Sequence, residues 1–407
     1  MFSIGAIFKN EYPFIVEWIA YHMALGINEI YVADNISSDG SSELLYFLDK
    51  AKLIKRVDYP TQDGVPPQLG AYSKILSMLD KDKWVAFIDA DEFISPNDYE
   101  DGLNKLTPLL NDKVNGAISL NWAVYGSSHS ILPDDGLVIE RFVKRATEIN
   151  PINRHYKSIV RVSDVISTGL TPHAFKIELD KKFIMPNGVV QNNSDGISEN
   201  IDWSVIRLNH YVIKSRSEFL NKKAARGRAT TLQEGLGRNI QFFNHHDLND
   251  VEQHIPYWFL RKVKCQIKAI NEKLLDNGYQ PFIEKSNEPL YKTTQMMGVG
   301  FVDSININGN AIALRGWAVD NSKKPCSCMV VVINNSILIH PDSISFYDRP
   351  DVKQAGIGDG IGCGFTVSIT LPKVSMSSID FYALNTAGLA VVELKANAQI
   401  LDVLVSK

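Results

Sequence analysis

The segment Phe87-Ile88-Asp89-Ala90-Asp91-Glu92-Phe93 places three carboxylates at the end of an apolar run. Residues two apart on an extended chain project the same way, so Asp89 and Asp91 can converge on one object. Two clustered carboxylates repel unless a cation or a proton relieves them. A hard divalent cation, with phosphate oxygens completing its shell, is the natural occupant. A solvated acidic turn is the plainer alternative. A second polar cluster, Asp34-Asn35-Ile36-Ser37-Ser38-Asp39-Gly40-Ser41, follows an earlier apolar run. Asp34 can accept hydrogen bonds from a uracil or a ribose, while Ser37 to Ser41 fit turn and cap chemistry equally well.

The elements that must position these groups alternate. Ser3 to Phe8 reads as a strand, Glu11 to Leu25 as a helix stopped by Gly26, and Ile27 to Ala33 as a second strand ending at Asp34. Ser41 or Ser42 caps the next helix, Leu53 to Tyr59 is a third strand, and a helix through Tyr72, Ile75 and Leu79 follows Pro66-Pro67. Trp84 to Ile88 is continuously apolar, as in a strand buried on both faces. Such alternation predicts a doubly wound, mostly parallel α/β sheet whose ligands lie at the C-terminal strand ends. Irregular strands follow, among them Gly116 to Tyr125, Leu137 to Phe142 and Ile159 to Val165, and Ser217 to Arg228 and Tyr257 to Leu275 read as helices. From Phe301 onward, short strands including Met329 to Ile339 predict an all-β sandwich. The expected domains are therefore 1–240, a helical connector at 241–296, and a sandwich at 297–407.

The order and spacing of Lys9-Asn10-Glu11, Glu17-Trp18, Tyr21-His22, Asp34-Asn35, Ser37-Ser38-Asp39-Gly40, Gln68 with Tyr72, and the Asp89 segment resemble the family 2-like and family 92-like glycosyltransferases. Weaker echoes run on to Gly227, through Trp122, Lys157-Ser158-Ile159-Val160, His173 and Asn209-His210-Tyr211. The resemblance implies a GT-A fold, a nucleotide-diphosphate sugar donor (a UDP-sugar favoured), Mn²⁺ or Mg²⁺, and inversion. Asp89 and Asp91 match its metal-binding motif, with His210 similar to a late histidine that completes the metal shell. Lys9, Asn10, Glu11, Asp34, Asn35, Gln68, Tyr72, Asp89 and Ala90 match the segments lining the nucleotide. Galactose is one candidate sugar. Arg315-Gly316-Trp317-Ala318-Val319-Asp320 and Arg349-Pro350-Asp351-Val352 resemble β-sandwich appendages of bacterial polysaccharide enzymes, which implies glycan binding or subunit contact for that region and a reaction in surface polysaccharide assembly.

Inversion needs a base for the acceptor hydroxyl. Glu92 adjoins the metal pair, although a neighbouring strand residue points the other way. Asp134, Asp135, Asp195 and Glu199 lie in loops able to reach an acceptor. Trp122, Ser127 and His173 are candidates for acceptor binding, with Trp122 equally at home in a core. Lys223 and Arg226, in a basic stretch between Lys214 and Arg238, can close over a diphosphate or form a solvated helix face.

Composition is ordinary for a globular chain of 407 residues, with 45% hydrophobic and 22% charged residues. The formal charge of −4 gives no bulk attraction to nucleic acid. No secretory signal or membrane span is read, so a cytoplasmic protein is expected, with peripheral association at the inner membrane face compatible. Cys265, Cys326, Cys328 and Cys363 match no zinc or disulfide pattern and read as buried small hydrophobes. Two other functions remain open: a carbohydrate-binding protein with a degenerate core, and a nucleotidyltransferase, which would ordinarily carry a glycine-rich loop where Phe8-Lys9-Asn10-Glu11 stands. Oligomeric state is unreadable.

Overall fold

Short apolar runs separated by turn residues fold as alternating strands and helices. The computed structural model describes residues 2–61, 66–130, 133, 136–192, 195–219, 223, 238–280, 298–320, 322–333, 337–371, 379–384 and 390–394. The chain opens with β1 (Ser3–Phe8), α1 (Tyr12–Ala24), β2 (Ile30–Asp34), α2 (Ser41–Lys50), β3 (Lys55–Asp58), α3 (Pro67–Leu76) and β4 (Trp84–Phe87). Then come β5 (Glu92–Pro96), β6 (Asn115–Val124), β7 (Lys144–Arg145), β8 (Tyr156–Arg161), β9 (Val165–Thr171), β10 (Ala174–Ile177), β11 (Lys182–Ile184), β12 (Ile206–His210) and β13 (Val251–Glu252).

The main sheet has the order β3-β2-β1-β4-β8-β6-β12-β5, with β11 beside the start of β6. β3, β2, β1 and β4 are parallel, as are β6 and β12, while β8 is antiparallel to both its neighbours and β5 to β12. Strand alternation supplies two cores. Ile30 and Val32 face one shared with α1, α2 and the long helix Tyr257–Asp276, and Tyr31 and Ala33 face another under α3. A strand enclosed on both sides must be apolar throughout, which is why Trp84-Val85-Ala86-Phe87 is.

The expected α/β class, with a mostly parallel sheet and a later all-β part, is the one adopted. The chain divides into two compact units, Met1–Ser128 with Gly136–Lys214 and Lys222–Glu284, and His129–Asp135 with Ser215–Asn221 and Lys285–Lys407. The long helix belongs to the first unit, where Phe259, Val263, Ile270 and Leu274 join the core beside α1. Residue 297, where the sequence suggests a boundary, lies outside the described residues.

The second unit holds β14 (Val299–Asn308), β15 (Ala311–Val319), β16 (Cys328–Ile333), β17 (Ile337–Ile339), β18 (Ser343–Tyr347), β19 (Gly364–Thr370), β20 (Ile379–Leu384) and β21 (Ala390–Leu394). They form two four-stranded antiparallel sheets, β14-β15-β19-β18 and β17-β16-β20-β21. Val302, Leu314 and Phe365 from one sheet share a core with Met329, Val331 and Phe381 from the other.

Local expectations fail where a tertiary partner intervenes. Leu137 to Phe142 is not a strand: Val138–Arg141 is a helical turn whose first N–H groups donate to the Glu17 carboxylate at 2.8 and 3.1 Å. Neither Ser41 nor Ser42 caps α2, because Gly40 holds that position at φ 89° and the two hydroxyls serve Asp39 and Asp34. Met329 to Ile339 is two paired strands, β16 and β17, rather than one. Of the segment Ser217 to Arg228, only the helical turn Arg216–Glu218, its flanks and Lys223 are described, with Ser215 and Glu218 as the capping box of that turn. Cys265 is exposed, whereas the other three cysteines are buried thiols. No helix among the described residues is long and apolar enough to cross a membrane.

Candidate active site

The site forms where β4, β6 and β12 end and β5 begins. After β4 the chain makes a tight turn, closed by the Glu92 N–H donating to the Asp89 carbonyl at 3.0 Å. Asp89 and Asp91 therefore sit on a turn, not on the single extended segment that the sequence suggests. The Trp18 indole N–H pins this turn by donating to the carbonyls of Glu92 (2.8 Å) and Asp89 (3.2 Å). Strand register aligns the rest. Lys157 of β8 pairs with Leu120 of β6, Trp122 pairs with Leu208 of β12, and His210 lies two residues beyond Leu208. Register partners, and residues two apart on a strand, share a face, so Lys157, Trp122 and His210 line up beside the turn.

Donors surround Asp89. Its Oδ1 accepts from Gln68 Nε2 at 2.7 Å and from the Tyr72 hydroxyl at 3.3 Å, and its Oδ2 faces Lys157 Nζ at 3.0 Å. Lys157 is wholly buried and lies 3.8 Å from Glu92 Oε2 as well. Burial works to raise the Asp89 carboxyl, but Lys157 outweighs it and holds the group below its usual range. Glu92 is fully buried, accepting from the Asp89 N–H at 2.7 Å and the Trp122 indole N–H at 2.8 Å. Burial pushes its carboxyl up to about 8. The expected catalytic role for Glu92 does not suit this geometry, since both oxygens are engaged internally and neither reaches solvent.

Asp91 has different company. Lys223 contacts its Oδ2, and His210 Nε2 lies 3.6 Å from its Oδ1. Burial opposes ionisation here too, yet Lys223 and His210 keep the carboxyl well below its usual range. Burial holds His210 toward the neutral form, and its Nδ1 is buried without a hydrogen-bond partner. A carboxylate oxygen and a neutral imidazole nitrogen at this separation can both serve one divalent cation. Among the described residues no group of three or more His, Cys, Asp or Glu side chains is placed to hold a metal ion. Further ligands would have to come from a bound molecule, and phosphate oxygens suit that need.

Trp122 is ringed by imidazoles: His210 at 4.2 Å between centroids, His155 stacked at 4.9 Å and His173 edge-on at 5.4 Å. Nδ1 of His155 lies 3.0 Å from the Ile152 carbonyl and Nδ1 of His173 lies 3.1 Å from that of Tyr156. A carbonyl there calls for a proton on Nδ1, so in the neutral tautomer of such a ring Nε2 is the lone-pair atom. Burial and the nearby Lys157 lower His173 to about 3. Gly196, at φ 98°, closes against His173, where an added Cβ would sit 2.6 Å from the histidine Cβ.

The two loops after β1 and β2 are knitted together. Ser37 Oγ accepts from the Asn10 N–H (3.0 Å), Asn10 Oδ1 from the Ser38 N–H (2.9 Å), Ser41 Oγ from the Glu11 N–H (2.9 Å) and Asp39 from the Tyr12 N–H (3.1 Å). A carboxylate at the start of α1 also suits the positive end of the helix. Asp34 is buried, taking two bonds from the Arg56 guanidinium (3.0 and 2.7 Å) and one from Ser42 (2.7 Å). Its carboxylate thus organises the loop, and Asn35 is likewise held, donating to the Tyr59 carbonyl. Lys9 is exposed at the edge of this loop pair, and Ile36 stands 65% exposed at φ 47°, an uncommon backbone for a β-branched residue.

Other expected residues are spread out. Ala90 is buried within the turn. Ser127 is buried, its N–H donating to Asp247 at 2.7 Å. Asp195 and Glu199 are exposed on the loop beside His173, with the Asp195 carboxylate accepting from the Ile197 N–H. Asp134, Asp135 and Arg226 lie outside the described residues. Three site residues carry no weight of their own in the sequence reading: Lys157, Arg56 and His155. Lys157 did leave a signal, as a charge inside the otherwise apolar-centred run Tyr156-Lys157-Ser158-Ile159-Val160.

Residues 2–227 match the family model of glycosyltransferase family 92. Curated relatives include family 92 proteins of Arabidopsis thaliana, 30% identical over 181 residues (42% of this chain), and of Oryza sativa subsp. japonica, 32% identical over 87 residues (21%). Another, from Ricinus communis, is 33% identical over 86 residues (21%). The chain spans 30%, 15% and 14% of the lengths of these relatives, respectively. Among solved structures, S. aureus TarS aligns over 97% of this chain and 77% of its own at 12% identity, with a TM-score of 0.30, too low to bear on fold or function.

Proposed function

From the premise that the chain belongs to glycosyltransferase family 92, we propose that it transfers a glycosyl group from a nucleotide-diphosphate sugar, a UDP-sugar by preference, to a hydroxyl of a glycan acceptor. The observation that best supports this is the pairing of Asp91 with His210 beside a carboxylate, Asp89, held ionised by Lys157. Asp91 and His210 would hold Mn²⁺ or Mg²⁺, which when bound supplies Lewis-acid stabilisation of charge on the departing diphosphate.

The protein's own groups share the remaining work. Asp89, rigidly held and with its side chain 34% exposed, presents acceptor oxygen edges to donor hydroxyls. Lys223 brings positive charge to the diphosphate side, where Coulomb attraction is strong because the lysine is buried. Trp122 offers an apolar ring to an acceptor sugar, and His173 Nε2 offers a lone pair to its hydroxyl. With Glu92 sealed inside and the His173 imidazole resisting protonation, the exposed carboxylates Asp195 and Glu199, on the loop whose Gly196 closes against His173, are better suited to take that proton in an inverting displacement. We place the reaction in surface polysaccharide assembly, on the strength of the sandwich that follows.

A thermal-shift panel of UDP-, GDP- and CMP-sugars, with and without Mn²⁺, tests the proposal, because a ligand stabilises the state it binds. Stabilisation by a UDP-sugar that requires Mn²⁺ is the expected result. Indifference to every nucleotide sugar would overturn it.

A further inference from the structure

The two sheets of the second unit treat their outer faces differently. On the β17-β16-β20-β21 sheet the outward side chains Cys328, Val330, Val332, Tyr382 and Leu384 are buried. On the β14-β15-β19-β18 sheet the outer face is open, and its register can be followed strand by strand. One row crosses all four strands as Phe301, Trp317, Gly364 and Tyr347. The next row is Ser304, Arg315, Thr366 and Ser345, and the two beyond it carry only Asn, Ala, Ser and Thr. Arg315 is the one charged side chain whose register places it in these four rows, and the bulge residue Asp303, between the first two rows, is paired with Arg349.

The aromatic row is held in place before any partner arrives. Phe301 is 41% exposed. Trp317 leans on Val319, Val352 and Cys363, and its indole N–H has no hydrogen-bond partner among the described residues. Tyr347 lies across Gly364, where a Cβ would come within 2.6 Å of the ring, so only glycine admits it. Arg315 fixes the same tyrosine, its Nε donating to the hydroxyl at 2.9 Å and its guanidinium lying 4.9 Å from the ring centroid. Rings immobilised in this way lose little freedom on binding.

We infer that this face is a glycan-binding surface, taking a linear polysaccharide chain laid along the Phe301–Trp317–Tyr347 row. Sugar rings present C–H faces that pack on aromatic rings, and hydroxyls that pair with the Ser, Thr and Asn grid beside them. The guanidinium of Arg315 suits a neutral or acidic chain and opposes a cationic one. A second protein copy would be expected to meet a broader apolar core than this single row provides. The site belongs to the other unit, and it stands whether or not the transfer reading does.

Affinity electrophoresis of the full chain through gels containing hydroxyethylcellulose, xylan, galactomannan or polygalacturonate tests this, alongside sedimentation. Retardation by at least one polysaccharide is expected. It should weaken about tenfold in Phe301→Ser and in Trp317→Ala, and in Arg315→Ala for an acidic chain. The Mn²⁺-dependent thermal shift with UDP should stay as it is in the wild type. Trp317 also packs inward, so the exposed positions Phe301 and Arg315 carry the test if Trp317→Ala does not fold. Passage unretarded through every gel overturns the inference, as does retardation equal in wild type and variants. A wild-type oligomer that Phe301→Ser splits would instead make this face a contact between copies.

Discussion

The Lys157 ammonium, with no exposed surface, lies 3.0 Å from Asp89 Oδ2, while the other Asp89 oxygen accepts from Gln68 and Tyr72. Each carboxylate of the acidic turn is thus paired with a buried lysine, Asp89 with Lys157 and Asp91 with Lys223, and Asp91 also faces His210.

Removing the internal cation should be costly. Lys157→Met leaves the Asp89 carboxylate without its buried cation, and breaking a buried ion pair typically costs about 3–5 kcal/mol. Adding Asp89→Asn to that variant should recover part of the loss, because the stranded charge disappears. Urea denaturation of the two single variants and the double variant measures the coupling. Simply additive losses would mean that Lys157 and Asp89 do not interact.

The two aspartates should separate in calorimetry. Asp91→Asn is expected to weaken Mn²⁺ binding in the presence of UDP by more than about a hundredfold, beyond what loss of a ligand's supporting partner usually costs. Asp89→Asn should keep metal binding within about tenfold of wild type while weakening UDP-sugar, because the His210 imidazole adjoins Asp91 and not Asp89. Equal losses of metal in both variants would put Asp89 back among the ligands.

Glu17 predicts a pH dependence of stability. Burial raises its carboxyl from 4.5 to about 7, outweighing the N–H groups of Val138 and Ile139 that favour the anion. The folded state therefore holds a proton that the unfolded chain has lost. This contribution is complete below pH 4.5 and disappears as pH rises through 7. The decline should amount to about 3 kcal/mol across that window, and Glu17→Gln should lack it. Denaturation curves of the two proteins at pH 5, 6, 7 and 8 give the difference directly, and a difference independent of pH would refute the assignment.

Two glycines separate backbone strain from crowding. Gly188 and Gly196 have φ of 85° and 98°, but an added Cβ meets nothing within 4 Å at Gly188 and lies 2.6 Å from the His173 Cβ at Gly196. Gly188→Ala should cost about 1 kcal/mol from conformation alone. Gly196→Ala should cost at least about 1 kcal/mol more through displacement of His173, and should shift that imidazole's NMR resonances. Equal costs, with His173 undisturbed, would show that the loop yields freely.

The sequence alone determined the class of the fold and the place of the acidic turn. Those follow from local patterns: apolar runs long enough to cross a sheet, glycine and proline at their ends, and carboxylates where a parallel strand stops. It did not determine which buried cation answers each carboxylate. Lys157 is 68 residues from Asp89 in the chain, and Trp122 is 30 from Glu92, so their meeting depends on the register of β4, β8, β6 and β12. The same holds for Asp34, whose partner Arg56 arrives on the neighbouring strand, and for Glu17, which turned an expected strand into a helix start. Periodicity records which face of an element is apolar. Which charges share that face is settled only when strands from distant parts of the chain come into register, because a low-dielectric site makes each such pairing decisive.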